Sequence, residues 1–74
     1  MNVNKQLGMR VRYLRKQKGL SQLDLSFESG VNKNYISDLE RGDRNPTLQV
    51  LERIANSLDV TLEDLFKGIQ SFED

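Results

Sequence analysis

The 74-residue chain contains no cysteine and no histidine. Without cysteine there is no disulfide or thiolate metal site to add stability, and without histidine only carboxylates remain as conventional metal ligands. The same absences remove the commonest general base and the thiol nucleophile, and no serine has a histidine to activate it. No apolar run reaches the ~18 residues of a membrane span, and the N-terminus has no signal-peptide core. The expected compartment is therefore the cytoplasm, with no membrane partner. Strand patterns are missing too, so no glycine-rich phosphate loop follows a strand. There are no internal repeats and no low-complexity segments. The carboxylate pair Glu63 and Asp64 falls at a helix start, where capping and the helix dipole explain it. These absences point away from an enzyme and away from any cofactor or metal.

Net charge is also zero, which alone argues weakly against a nucleic-acid partner. Its distribution is uneven. Residues 1–20 carry Lys5, Arg10, Arg12, Arg15, Lys16 and Lys18 and no acid. Residues 45–74 carry Glu52, Asp59, Glu63, Asp64, Glu73 and Asp74 against Arg53 and Lys67. The field is therefore polar although the sum vanishes. At the acidic end, solvated helix faces are the simpler explanation.

What is present is helical periodicity. With 36% hydrophobic residues, the chain can build one small core, near the low end of what folds alone. Val3 to Lys18 reads as a first helix, with Leu7, Val11 and Leu14 as its apolar stripe and Arg12 and Lys16 opposite. Arg15 lies beside that stripe, and Gly19 is the expected stop. Ser21 is an N-cap with Asp24 at capping-box spacing. Leu25 and Ser29 then share a face, and Gly30 ends this second helix. Asn32 caps a third, in which Ile36 and Leu39 form the apolar side and Gly42 closes the end. Arg41 to Pro46 is a turn-rich loop. Thr47 caps a fourth helix with Leu48, Leu51, Ile54, Ala55 and Leu58 as its core stripe. Thr61 caps a fifth of about two turns, with Leu62, Leu65, Phe66 and Ile69 apolar and Gly68 weakening its end. Residues 70–74 should fray. Links of about two to six residues join the helices. Leu23 and Phe27 stand a turn apart, away from the Leu25 face, either packing locally or leaving a small exposed patch.

Two short helices joined by a tight turn at Gly30 have the geometry of a helix-turn-helix. Residues 21–42 resemble in detail the motif of the Cro/cI-type repressors, the XRE family. Gln22 opens the first motif helix, Gly30 and Val31 form the turn, Ile36 and Leu39 fill the apolar slots, and "YISDLERG" matches the end of the recognition helix. Ser26 departs from the family, which usually has alanine there; serine is small enough for a close helix approach. The resemblance covers roughly residues 5–68. It implies an all-α, compact five-helix, lambda-repressor-like domain spanning residues 1–74, and family-type homodimers on two-half-site operators. A buried Arg15–Glu40 pair joining the first helix to the motif is implied as well. The "ERGDRN" loop is similar to that of restriction–modification controller proteins, where an arginine at the Arg44 position reaches base edges.

The expected partners are double-stranded DNA and a second copy of the chain, with no small-molecule ligand. The helix start at Gln22 offers backbone N–H groups and an amide to a phosphate. Asn32, Lys33, Asn34 and Tyr35 begin the recognition helix; all can hydrogen-bond and none is required by the core. Capping alone accounts for Asn32, whereas Lys33, Asn34 and Tyr35 together suit base edges in the major groove. Arg41 and Arg44 are near enough to reach phosphates or bases. Leu62, Phe66 and Ile69 are the expected dimer surface, the alternative being that Phe66 lies wholly in the core and Ile69 is the better test of the interface. The competing expectation is a protein-interaction module, such as the antitoxin of a toxin–antitoxin pair, which exposure of Leu23 and Phe27 would favour.

Overall fold

Each helix begins where a short polar side chain can satisfy an orphan N–H. The computed structural model describes residues 2–70. Its elements are α1 (Val3–Gln17), α2 (Gln22–Ser29), α3 (Lys33–Glu40), α4 (Leu48–Ser57) and α5 (Leu62–Leu65). Asn2, Ser21, Asn32, Thr47 and Thr61 are their N-caps, each side chain accepting a backbone N–H of the first turn. Ser21 with Asp24 and Thr61 with Asp64 complete capping boxes. At the motif turn Gly30 adopts φ 72° and donates its N–H to the Ser26 carbonyl at 2.9 Å. A Cβ would be strained in that left-handed conformation.

α1 packs on α3 and α5, α2 on α3 and α4, and α4 on α5. Val11, Leu25, Ile36, Leu39, Ile54 and Leu65 are fully buried at the centre. All five helices except the short α5 contribute through an i, i+3 or i, i+4 stripe, which is why periodicity located them.

The structure corrects four sequence expectations. Leu48 is not core but 65% exposed; it is the first residue of α4, and the buried stripe starts at Leu51. α5 is a single turn rather than two, because Phe66 already caps its C-terminus and Phe66–Gly68 form a turn. The α3–α4 connection, residues 41–47, is longer than two to six residues. Tyr35 is half-buried and packs against the core cluster, so the fold does use it. The fraying expected of residues 70–74 falls, for 71–74, outside the described residues.

One close approach has no counterpart in the sequence reading. α1 crosses the C-terminal end of α3 at Gly8, where an added Cβ would lie 2.3 Å from the Leu39 carbonyl oxygen and 2.6 Å from that of Glu40. Just beyond, a Cβ on Gly42 would meet the Lys5 Cα at 2.9 Å. Two glycines thus let α1 lie directly on the backbone of the recognition helix and its exit.

Candidate nucleic-acid interface

The junction between α1 and the motif is an ion pair. Arg15 Nε donates to Glu40 Oε2 at 2.7 Å and Nη2 donates to Oε1 at 2.9 Å, a bidentate pair. Arg15 Nη1 donates to the Leu20 carbonyl at 2.8 Å. Only 9% and 4% of the two side chains remain exposed. The hydrogen bond to Glu40 holds the Arg15 guanidinium above its ordinary pKa, against the opposing cost of burial. Gln22 Nε2 donates to the same Glu40 Oε1 at 3.2 Å. The Gln22 amide expected at a phosphate is therefore turned inward, onto the ion pair. The N–H groups of Gln22 and Leu23, in the first turn of α2, have no intrahelical acceptor.

This junction fixes the orientation of α3, whose first turn faces outward. Lys33 and Asn34 are exposed, and among the described residues the Lys33 ammonium has no partner. Asn32 spends its Oδ1 on the Asn34 N–H at 2.7 Å, as capping requires. Tyr35 turns its apolar body to the core and supports Arg44: the guanidinium carbon stands 4.7 Å from the ring centroid, a cation–π geometry.

The loop arginines are both engaged by α3. Arg41 donates through Nη1 to Ser37 Oγ at 2.8 Å, through Nη2 to Asp38 Oδ1, and through Nε to Asp43 Oδ2 at 3.3 Å. Arg44 donates through Nε and Nη2 to Asp38 Oδ2, both at 3.3 Å. Asn4 Nδ2 donates to Asn45 Oδ1 at 2.6 Å, which ties the loop to the start of α1. Asp38 and Asn4 are absent from the sequence expectations. An acid three residues before Arg41 is the signal that marks Asp38; Asn4 and Asn45, 41 residues apart in the chain, give none. Lys33, Asn34, Tyr35, Arg41 and Arg44 thus belong to one helix and its following loop.

The basic residues of α1 divide. Arg10 donates twice to the Asp64 carbonyl at 3.0 and 2.9 Å, and Lys18 reaches the Ser57 carbonyl and Asp59. These two tie α1 to α5 and to the end of α4. Arg12 and Lys16 are exposed and without a partner among the described residues. Of the expected dimer residues, Leu62 and Ile69 are half-buried against the core, whereas Phe66 is 37% exposed. Leu23 and Phe27 are exposed, Phe27 to 78%. Among the described residues no group of three or more metal-binding side chains comes together, and no helix is long and apolar enough to cross a membrane.

A short helix capped by Gly30, a second helix with an exposed polar first turn, and a basic loop after it together define a helix-turn-helix domain. Comparison with known proteins identifies the family: residues 11–65 match HTH_3, helix-turn-helix, and the chain belongs to it. The chain is similar to the HTH-type transcriptional regulator DdrOP3 of Deinococcus deserti, 37% identical over 65 residues, covering 88% of this chain and 50% of that protein. It is also similar to the control protein C.BamHI of Bacillus amyloliquefaciens, 42% identical over 65 residues, covering 86% of this chain and 80% of that one. The crystal structure of the restriction-modification controller protein C.AhdI from Aeromonas hydrophila superposes with a TM-score of 0.81 at 42% identity, covering 86% of this chain and 96% of that one. The chain spans about half the length of DdrOP3 but most of the length of the two controller proteins.

Proposed function

We propose that the chain is a sequence-specific DNA-binding transcriptional regulator that binds a palindromic operator as a homodimer. The observation that carries this reading is the exposed first turn of α3, with Lys33, unpartnered among the described residues, beside Asn34 and with Arg44 stacked on Tyr35. Lys33, Asn34 and Arg44 read bases, since lysine and arginine match guanine and asparagine matches adenine in the major groove. Arg41 and the α2 N-terminus at Gln22 hold phosphates through the guanidinium and the free N–H groups. Residues 1–74 act as one DNA-binding domain, in the cytoplasm, without cofactor or small-molecule effector. Relatives named as transcriptional regulators and control proteins support this role.

One recognition helix reads too few base pairs to find an operator, so two copies act together. The dimer surface centres on Phe66, the most exposed member of the Leu62, Phe66 and Ile69 group. A two-fold axis there sets the half-sites about one helical turn, ~34 Å, apart.

Selection from a random-sequence DNA pool tests this. A palindromic motif that shifts with Lys33→Ala or Arg44→Ala supports it. Enrichment of no motif by the folded, dimeric protein overturns it. That result would favour a protein-interaction module, such as an antitoxin, the reading favoured by the exposed Leu23 and Phe27.

A further inference from the structure

Two of the arginines assigned to DNA converge on one carboxylate. Asp38 accepts from Arg41 through Oδ1, and from Arg44 twice through Oδ2, the two Arg44 bonds both at 3.3 Å. Arg44 is thus held along one edge by Asp38 and on its face by the Tyr35 ring, 4.7 Å away. An edge contact and a face contact together leave a planar guanidinium little freedom to rotate. Asp38 lies in the last turn of α3, next to the carbonyl end of the helix, where an anion is disfavoured by the dipole. The dipole therefore does not account for an acid at this position, and the i, i+3 pair with Arg41 uses only its Oδ1.

We infer that Asp38 is the positioning residue for Arg44: it sets the direction of the guanidinium and through it the base preference of the loop. This rests on the DNA-binding reading above. Asp38 also has a second, opposite effect. Its charge offsets part of the cationic surface made by Lys33, Arg41 and Arg44, and so weakens attraction to phosphates of any sequence. Removing it releases the edge of Arg44 and one of the three acceptors of Arg41, which leaves more of both for non-specific phosphate contacts, while Arg44 loses its fixed aim. Specific preference falls and non-specific affinity rises, a combination that a residue needed only for folding does not produce.

The test compares wild type, Asp38→Ala, Arg44→Ala and the double variant, each as the whole chain. Each is selected against a random DNA pool and titrated on the wild-type-enriched duplex and on a scrambled one. Asp38→Ala is expected to lower the specific-to-scrambled affinity ratio by about tenfold. It should relax preference at the same base pair that Arg44→Ala relaxes, and add nothing to that preference in the Arg44→Ala background. Unchanged preference, a change at a different base pair, or a further loss in the double variant overturns the inference. Should Asp38→Ala unfold, judged by circular dichroism, Asp38→Asn removes the charge at constant size and is held to the same outcomes. Failure of the DNA-binding reading looks different: the wild type itself enriches no motif.

Discussion

Glu40 anchors three donors from two other segments, so its loss is felt beyond one contact. Among the described residues, Glu40→Ala leaves the Arg15 guanidinium with the Leu20 carbonyl as its one remaining acceptor, buried away from water. Breaking one side of such a pair costs ~3–5 kcal/mol. A domain of this size has a total stability of roughly 4–11 kcal/mol. Glu40→Ala should therefore melt far below wild type or fail to fold. Replacing both partners, Arg15→Met with Glu40→Leu, should recover much of the loss, because no charge is then stranded. Thermal melts followed by circular dichroism decide this; a Glu40→Ala midpoint within a degree or two of wild type would mean the pair contributes little. Gly8 makes a second test. Alanine favours a helix interior over glycine by ~1 kcal/mol, yet a Cβ at Gly8 meets the Leu39 and Glu40 carbonyls far inside contact distance. The clash wins, and Gly8→Ala is expected to lower stability in urea by ~1–3 kcal/mol. The Arg15–Glu40 pair was expected from a family resemblance. Gly8 was not, since a glycine in a helical pattern does not announce which backbone lies against it.

The start of α2 links sequence to pH response. Asp24 accepts the Ser21 N–H at 3.0 Å while Ser21 Oγ accepts the Asp24 N–H at 2.9 Å. The backbone bond from Ser21, aided by its side chain, holds the Asp24 carboxyl below the usual carboxylate range. A folded-state pKa below the unfolded value means the carboxylate stabilises the helix above the unfolded pKa. That contribution is lost as pH falls through the folded pKa. Asp24→Asn should therefore melt below wild type at neutral pH, with the gap closing under acid; a gap independent of pH would exclude the carboxylate as its source. Capping pairs of this kind are local, which is why Ser21, Asn32, Thr47 and Thr61 were all readable from the chain. What was not readable was tertiary in origin. Leu48 fits the apolar stripe by spacing, but at the first position of α4 the core has already turned away. The inward turn of Gln22 depends on where Glu40 arrives from another helix. In the candidate interface, residue types and spacing gave the arginines, but their convergence on Asp38 needed the folded loop.

A chain of zero net charge can still bind DNA through its distribution, and that gives its binding a measurable signature. Arg12, Lys16 and Lys33 are exposed cations without a partner among the described residues, while acidic residues gather toward the other end of the sequence. Binding by the proposed dimer should fall steeply between low and physiological salt, as phosphate-bound cations are displaced. Arg41→Ala should weaken all sequences alike and reduce the salt slope by about 1 for each copy of the chain. That slope depends on two copies acting as a unit, and in the dimer proposed above Phe66 is the residue that holds it. The residue is 37% exposed at the C-cap of α5, so aspartate there should disturb the proposed interface more than the fold. Phe66→Asp is expected to sediment as a monomer at micromolar concentration. Its operator affinity should drop, because each half-site then binds without the local concentration its partner supplied. A melt close to wild type would confirm that the fold survives. An unchanged dimer would move the interface elsewhere, and Met9 and Tyr13, each 54% exposed and one turn apart on α1, are the next apolar surface to test.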